Sequence, residues 1–149
     1  MIEAIYIAAD EAGEQVAVEG VTLVSGKGIV GDRYFDYDTQ AGEEITFIEI
    51  EEIERYNRDN QQQIPLHATR RNIITRGVRL NDLEGKEFTV GGVRFRGVEL
   101  CEPCAFLGEN LENDTMDRAA VVKAFLHRAG LRADILCDGD LAIGIPFGD

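Results

Sequence analysis

Short β-rich segments separated by glycines constrain the fold of this chain more than any other feature. The clearest pair, Lys86–Val90 and Val93–Leu100, flanks the dipeptide Gly91-Gly92. A two-residue glycine loop between two such runs is typical of a tight β-hairpin, because glycine adopts positive φ without strain. The second run begins by alternating apolar residues with arginines, so one of its faces can be buried. We therefore expect a mainly β domain.

The other β-rich runs are interrupted by two segments with helical character. Strands are predicted over Ile2–Ala8, Gln15–Val24, Ile45–Ile50, Arg71–Thr75, Arg132–Leu136 and Leu141–Ile145. The last two flank Asp138-Gly139, which favours a hairpin turn. Helices are predicted over Glu51–Gln62 and Met116–Ala129, where apolar residues recur at helical spacing. The pattern predicts a mainly β (α+β) fold, a closed or half-closed β-barrel with two or three packed helices.

Length and charge narrow the class of protein. At 149 residues and 16.5 kDa, the chain is expected to form one domain over residues 1–149. Its 15 basic and 28 acidic residues give a net charge of -13, which repels nucleic acid and anionic lipid. No apolar stretch approaches the roughly 20 residues of a membrane span, and the start of the chain lacks the features of a signal peptide. We expect no nucleic-acid partner, no membrane association and a cytoplasmic location; the sequence does not indicate an oligomeric state.

The overall acidity conceals one basic segment. Residues Arg70–Val98 include six arginines and one lysine against three acidic residues, whereas Asp36–Gln63 includes two arginines against nine acidic residues. The basic segment leads directly into Cys101-Glu102-Pro103-Cys104. Any anion-binding chemistry is therefore expected close to these two cysteines.

The CxxC pair leaves several chemistries open. Three cysteines, an odd number, fit poorly with a disulfide framework, so Cys101 and Cys104 could ligate a metal, form a redox disulfide, or supply a nucleophile or soft-metal ligand. A zinc site needs two further ligands, and Cys137, His67 and His127 do not form a second pair at zinc-site spacing. The pair could also consist of small buried apolar residues. The flanking arginines favour a thiolate.

A second group that could bind an anion is Arg70-Arg71-Asn72 at the start of a predicted strand. Guanidinium groups bind carboxylate, phosphate or oxo-metal oxygens through two contacts, and asparagine adds a donor and an acceptor. Ion pairing with the acidic helix Glu51–Asp59 is the alternative for each of these arginines.

Two further segments carry weaker signals. Gly28-x-x-Gly31-Asp32-Arg33 is a glycine loop with a charged tip, either a phosphate-binding loop or a bare turn. His127, with Arg132 shortly after it, places cations near the end of a predicted helix, where the helix dipole alone would also favour them.

Taken in order, these segments resemble the MOSC domain, the family named for the C-terminal domain of molybdenum-cofactor sulfurases. The resemblance rests on GxxGDR near residue 30, RRNIIT from Arg70, CEPC, and HRAGLRA near the end of the chain. Its most specific part is the ordered pair of RRNIIT and PC-x-x-L, the latter formed by Pro103, Cys104 and Leu107. The resemblance covers essentially the whole chain.

The resemblance implies a barrel-like β fold in which a reactive cysteine carries sulfur or ligates the molybdenum of the pterin cofactor, molybdopterin. Some members reduce N-hydroxylated compounds. The matching residues are Cys104 for the catalytic and metal-ligating thiol, and Arg71, Asn72, Arg33, Asp32, His127 and Arg132 for cofactor binding.

Either a molybdenum-dependent reductase or a sulfur transferase is compatible with this resemblance. The chain has no pyridoxal-phosphate desulfurase domain, so we expect a pyridoxal-phosphate-free protein that receives sulfur or electrons from a sulfur-donor protein or a reductase. The alternative is a non-enzymatic accessory module that binds a small anion and docks a partner protein.

Overall fold

The computed structural model describes residues 1–10, 13–36, 41–103 and 105–148. Within these ranges the strands are β1 (Ile2–Ile7), β2 (Val16–Val18), β3 (Gly20–Val24), β4 (Gly28–Ile29), β5 (Ile45–Glu49), β6 (Ile73–Thr75), β7 (Glu87–Val90), β8 (Val93–Leu100), β9 (Leu131–Ile135) and β10 (Gly139–Ala142). The α-helices are α1 (Ile50–Asn60), α2 (Ala105–Leu111) and α3 (Arg118–Ala124). No helix in these ranges is long and apolar enough to cross a membrane.

The strands form two sheets. Seven strands in the order β2-β1-β6-β5-β9-β8-β7 curl into a half-barrel, and β10-β3-β4 form a smaller sheet. The β5–β6 pair is parallel, whereas the other pairs of the larger sheet are antiparallel. The fold is therefore mainly β with three packed helices, which confirms the prediction of a barrel-like architecture.

Two hydrophobic cores lie on opposite faces of the larger sheet. Phe47 of β5 faces the barrel interior, where its ring meets Phe95 edge-on with centroids 5.5 Å apart. Ile48, the next residue, faces the helices and joins the core that contains Tyr56 and Phe125, whose rings stack at 4.7 Å. Because both faces of β5 are covered, the strand carries apolar residues at the consecutive positions Phe47 and Ile48 instead of a strict alternation.

The hairpin predicted at Gly91-Gly92 is present. These glycines have φ of 57° and 83°, and Val90 pairs with Val93 across the turn. Both loop residues therefore occupy the left-handed region, which a two-residue hairpin of this kind requires.

Two strand predictions were wrong in their connections. Gln15–Val24 is not one strand but two, because β2 pairs with β1 in the large sheet while β3 pairs with β10 and β4 in the small one. The hairpin predicted at Asp138-Gly139 is also absent: β9 lies between β5 and β8, and β10 pairs with β3. In each case the chain passes from one sheet to the other, which a local pattern of apolar residues does not reveal.

The helices differ from prediction mainly in extent. Helix α1 lies close to its predicted range, whereas α3 ends at Ala124, well before the predicted end at Ala129. His127 adopts φ of 61°, which is incompatible with continued helix, and the chain turns there toward β9. Helix α2 was not predicted; its seven residues follow the CxxC segment directly.

Candidate functional site

A cavity of about 370 Å³ lies between one end of the large sheet and helix α2. Its walls include four arginines and one carboxylate, together with polar side chains and one sulfur; these residues are Arg33, Arg70, Arg71, Arg132, Glu43, Thr46, Asn72 and Cys101. Four guanidinium groups against one carboxylate give this lining a positive charge, which attracts anions.

The Arg70-Arg71-Asn72 segment reaches the cavity because the chain turns sharply before β6. A 3₁₀ turn over Leu66–Thr69 ends at Arg70, whose φ of 60° redirects the backbone into the sheet. The Arg71 guanidinium donates from Nε to the Ala129 carbonyl at 2.9 Å and from Nη1 to the Thr69 carbonyl at 3.3 Å. Arg71 is thus held in place by backbone acceptors, so binding an anion with it costs little side-chain entropy.

Arg70 and Arg33 lie side by side at the outer end of the cavity. Burial, and then the charge of Arg33, lower the pKa of Arg70. The Arg33 guanidinium lies 4.6 Å from the centroid of the Tyr34 ring and 3.5 Å from the Asp32 carboxylate. Its Nε is buried and meets no hydrogen-bond acceptor among the described residues. A bound anion would stabilise both neighbouring positive charges and would give the buried Arg33 Nε an acceptor.

Asn72 lines the cavity but also joins three strands. Its Oδ1 accepts hydrogen bonds from the Thr46 backbone N–H at 3.1 Å and the Thr46 hydroxyl at 3.2 Å, while its Nδ2 donates to the Tyr6 carbonyl at 3.2 Å. Since the amide oxygen and nitrogen both have protein partners, the buried side chain contributes chiefly to the shape of the cavity floor.

Cys101 contributes a sulfur to the cavity wall. Its residue is 2% exposed, and its backbone N–H donates to the Gly130 carbonyl at 2.8 Å. Burial raises the pKa of the Cys101 thiol; the charges of Arg71 and Arg132, and a hydrogen bond from Arg132, lower it without offsetting the burial. The arginines therefore shift the pKa of Cys101 in the predicted direction, toward the thiolate. Burial has the larger effect, so the net pKa is raised. Cys104, the predicted reactive thiol, lies outside the described residues.

A β-bulge explains why Cys101 faces the cavity. The pairing of β8 with β9 shifts register between Gly97 and Glu99. Phe95, before the shift, packs in the barrel interior, whereas Cys101, after it, belongs to the core on the helix side. Such a bulge changes which face of the sheet the following side chains occupy.

Two of the predicted cofactor-binding residues do not line the cavity. Asp32 is buried, and its carboxylate accepts a hydrogen bond from the Ala8 N–H at 3.1 Å. His127 has a side chain that is 67% exposed and pairs with Glu102. The structure brings Arg33, Arg71, Asn72 and Arg132 together in the lining and leaves these two residues outside it.

A wider cleft of about 960 Å³ adjoins the cavity and shares Arg33, Tyr34 and Arg70 with it. The cleft is open to solvent and extends along α2 to His67. A ligand larger than the cavity can therefore extend outward without a change of fold. Among the described residues, no cluster of three or more His, Cys, Asp and Glu is placed to hold a metal ion.

A sequence model of the MOSC domain matches residues 10–147. The chain belongs to the MOSC domain family. MOSC domains as a family are associated with the molybdenum cofactor, and the match agrees with the resemblance of the RRNIIT and CEPC segments. No curated protein sequence matches the chain.

Solved structures share the fold of this MOSC chain at low sequence identity. YuaD from Bacillus subtilis superposes with a TM-score of 0.84 and 20% identity, over 98% of this chain and 92% of that chain. YiiM from Geobacillus stearothermophilus superposes at 0.76 with 14% identity, covering 99% and 73%, and YiiM from Escherichia coli at 0.69 with 16% identity, covering 99% and 69%. At such identities the likeness establishes the fold.

Proposed function

We propose that the arginine-lined cavity binds the molybdenum cofactor through its phosphate and that a thiol of the Cys101–Cys104 segment ligates the metal or carries sulfur. The single observation that supports this most is the convergence of four arginines and one sulfur on one cavity. Guanidinium groups suit the phosphate, and a soft sulfur suits molybdenum.

The residues present fit an anionic group of this kind. The unpaired buried Nε of Arg33 would gain an acceptor, and Arg71 is already held in place by backbone carbonyls. Arg132 also lines the cavity, where its side chain is 45% exposed and lies 3.7 Å from the Glu99 carboxylate. The cofactor, when bound, would supply a metal that accepts an oxygen atom, as the reduction of an N-hydroxylated compound requires.

The two cysteines would serve different purposes in this proposal. The raised pKa of Cys101 keeps its proton on the sulfur near neutral pH, and deprotonation becomes easier only when positive charge nearby increases. Cys104, which matches the retained thiol of the family, is the proposed ligand or sulfur carrier. Arg71 and Arg132 would limit the cost of a negative sulfur in this wall.

The proposal is tested by purifying the protein anaerobically from cells that make the cofactor and measuring bound molybdenum and pterin. Arg33→Gln and Arg132→Gln should each reduce occupancy, since a lost charge-assisted hydrogen bond of roughly 1.5–3 kcal/mol corresponds to about 10–150-fold in affinity. Arg94→Gln, an exposed arginine of β8 outside the cavity lining, makes the same charge change and should leave occupancy unchanged. Neither metal nor pterin in the wild type would refute the proposal.

A second candidate is a non-enzymatic module that binds a small anion and docks a partner protein. It is favoured by the buried, protonated state of Cys101, because the four arginines can bind an anion without participation of sulfur. Phosphate binding measured by calorimetry that survives both Cys101→Ser and Cys104→Ser, with no pterin in the purified protein, would support this candidate over the first.

A further inference from the structure

Glu102, between the two cysteines, makes a two-point contact with His127. Its Oε1 accepts the His127 backbone N–H at 2.9 Å, and its Oε2 lies 2.7 Å from His127 Nδ1. One carboxylate thus receives both the main-chain and the side-chain donor of one residue. The contact lies outside the cavity lining, so it does not act by touching a ligand there.

Other parts of the fold hold His127 in the geometry that this contact needs. Its φ of 61° is in the left-handed region, which directs its N–H and its ring toward the same acceptor. Its carbonyl accepts from Asn81 Nδ2 at 2.9 Å. Three residues later Gly130 has φ of 108°, and a Cβ there would collide with the Phe47 carbonyl oxygen. The His127–Gly130 turn is therefore a rigid support against β5.

The same turn also holds the backbone next to the cysteine. The Cys101 N–H donates to the Gly130 carbonyl at 2.8 Å, so the segment is attached to the turn at Cys101 and again at Glu102. The His127 and Arg128 side chains on this turn are exposed, whereas Ala129 and Cys101 are buried. Loss of the second attachment would leave the segment held at this turn by one backbone hydrogen bond, and the Cys101 sulfur would become accessible more often.

We propose that the Glu102–His127 contact positions residues 101–103 and keeps the Cys101 sulfur in the cavity wall. His127 is then a positioning residue that acts on the Cys101 thiol from outside the cavity. This role is separate from cofactor binding, and it concerns the protein in the absence of any ligand.

The test is the rate at which N-ethylmaleimide modifies Cys101 in the folded protein, with tandem mass spectrometry to assign the modified cysteine. His127→Ala and Glu102→Ala should each increase that rate about three- to tenfold, the range expected for a partly exposed charge-assisted contact. Cys137, which accepts the Arg94 N–H at 3.2 Å far along the chain from this segment, is the internal reference and should react at an unchanged rate.

A conservative variant separates positioning from general destabilisation. His127→Asn keeps a residue that tolerates positive φ and places an N–H donor at the position of Nδ1, so it should restore the wild-type rate. The double variant Glu102→Ala/His127→Ala should react no faster than Glu102→Ala, because truncating Glu102 already removes both points of the contact.

Matched controls are His67→Ala and Glu109→Ala. The first removes an exposed histidine elsewhere in the chain, and the second an exposed glutamate whose carboxylate is 3.8 Å from Arg118; both should leave Cys101 labelling unchanged. An unchanged rate in His127→Ala, an additive double variant, or an equal rise at Cys137 would overturn the proposal. None of these outcomes depends on cofactor content, so they are distinct from a failure of the proposed function.

Discussion

Asn72→Ala should lower the free energy of unfolding by more than the truncation of one amide side chain would suggest. Asn72 lies one residue before β6. Its side chain adds a hydrogen bond to β5 there and a second one to β1. Alanine leaves the Thr46 N–H and the Tyr6 carbonyl without these partners in a part-buried region. An unsatisfied buried group costs about 1–3 kcal/mol, so two partly buried groups predict a loss of roughly 2–4 kcal/mol in the free energy of unfolding.

Urea unfolding followed by circular dichroism measures this loss. With an m-value of about 2 kcal/mol/M, the midpoint should fall by roughly 1–2 M while the slope stays the same. Asn110→Ala provides the control, since Asn110 lines the same cavity from the exposed side of α2. A loss below about 0.5 kcal/mol in Asn72→Ala, or an equal loss in Asn110→Ala, would refute the assignment of a strand-joining role to Asn72.

Three further results are expected. Gly97→Ala should destabilise the fold by roughly 2–4 kcal/mol in the same unfolding assay, because its Cβ would collide with the Leu83 carbonyl oxygen. Burial, with a smaller contribution from a neighbouring carboxylate, raises the pKa of Glu44 above its ordinary 4.5. Because the native state then holds this proton more tightly than the unfolded state, wild-type stability should fall as pH rises above 4.5. Glu44→Gln should remove this part of the decline. Arg132→Gln should shift the pH profile of Cys101 labelling to higher pH, since Arg132 lowers the pKa of that thiol.

Controls for these variants come from the same elements. Gly92→Ala meets no atom within 4 Å and carries only the strain of its φ of 83°, so it should cost clearly less than Gly97→Ala. Urea unfolding of Glu44→Gln at pH 4 and pH 7 should show its advantage over the wild type growing with pH; a growing disadvantage would contradict the sign. Arg96→Gln, which removes an exposed arginine paired with Glu87, should leave Cys101 labelling unchanged.

Much of the site was predictable because its residues are local sequence motifs. Arg71, Asn72 and Arg33 were expected near a ligand from the RRNIIT and GDR segments, and all three line the cavity. Asn72 differs in that its amide is used by the protein's own strands, a role that requires knowing which strands are neighbours. Helix α2 could not be predicted from its seven residues, since so short a helix depends on packing for its stability.

Cys101 and His127 show why the rest of the site depended on the tertiary structure. Cys101 reaches the cavity because a register shift in β8 moves it from the barrel side to the helix side, and such a shift depends on the pairing with β9. His127 was expected to bind the cofactor, but the turn after α3 directs it to Glu102 on the surface. The spacing of nearby residues encodes neither the side of the sheet that Cys101 faces nor the surface position of the His127 side chain.

The sequence by itself determined the fold class, the hairpin at Gly91-Gly92, the family and the basic character of the segment that leads to the cysteines. The family follows from the ordered RRNIIT and CEPC motifs. The other properties follow from local periodicity, glycine conformation and side-chain charge, which each segment carries wherever it is placed. Only the tertiary structure decided which arginines share a cavity, that the Cys101 sulfur lies in its wall and that burial raises the pKa of that thiol. Those properties depend on distances between segments far apart in the chain and on the loss of water around them.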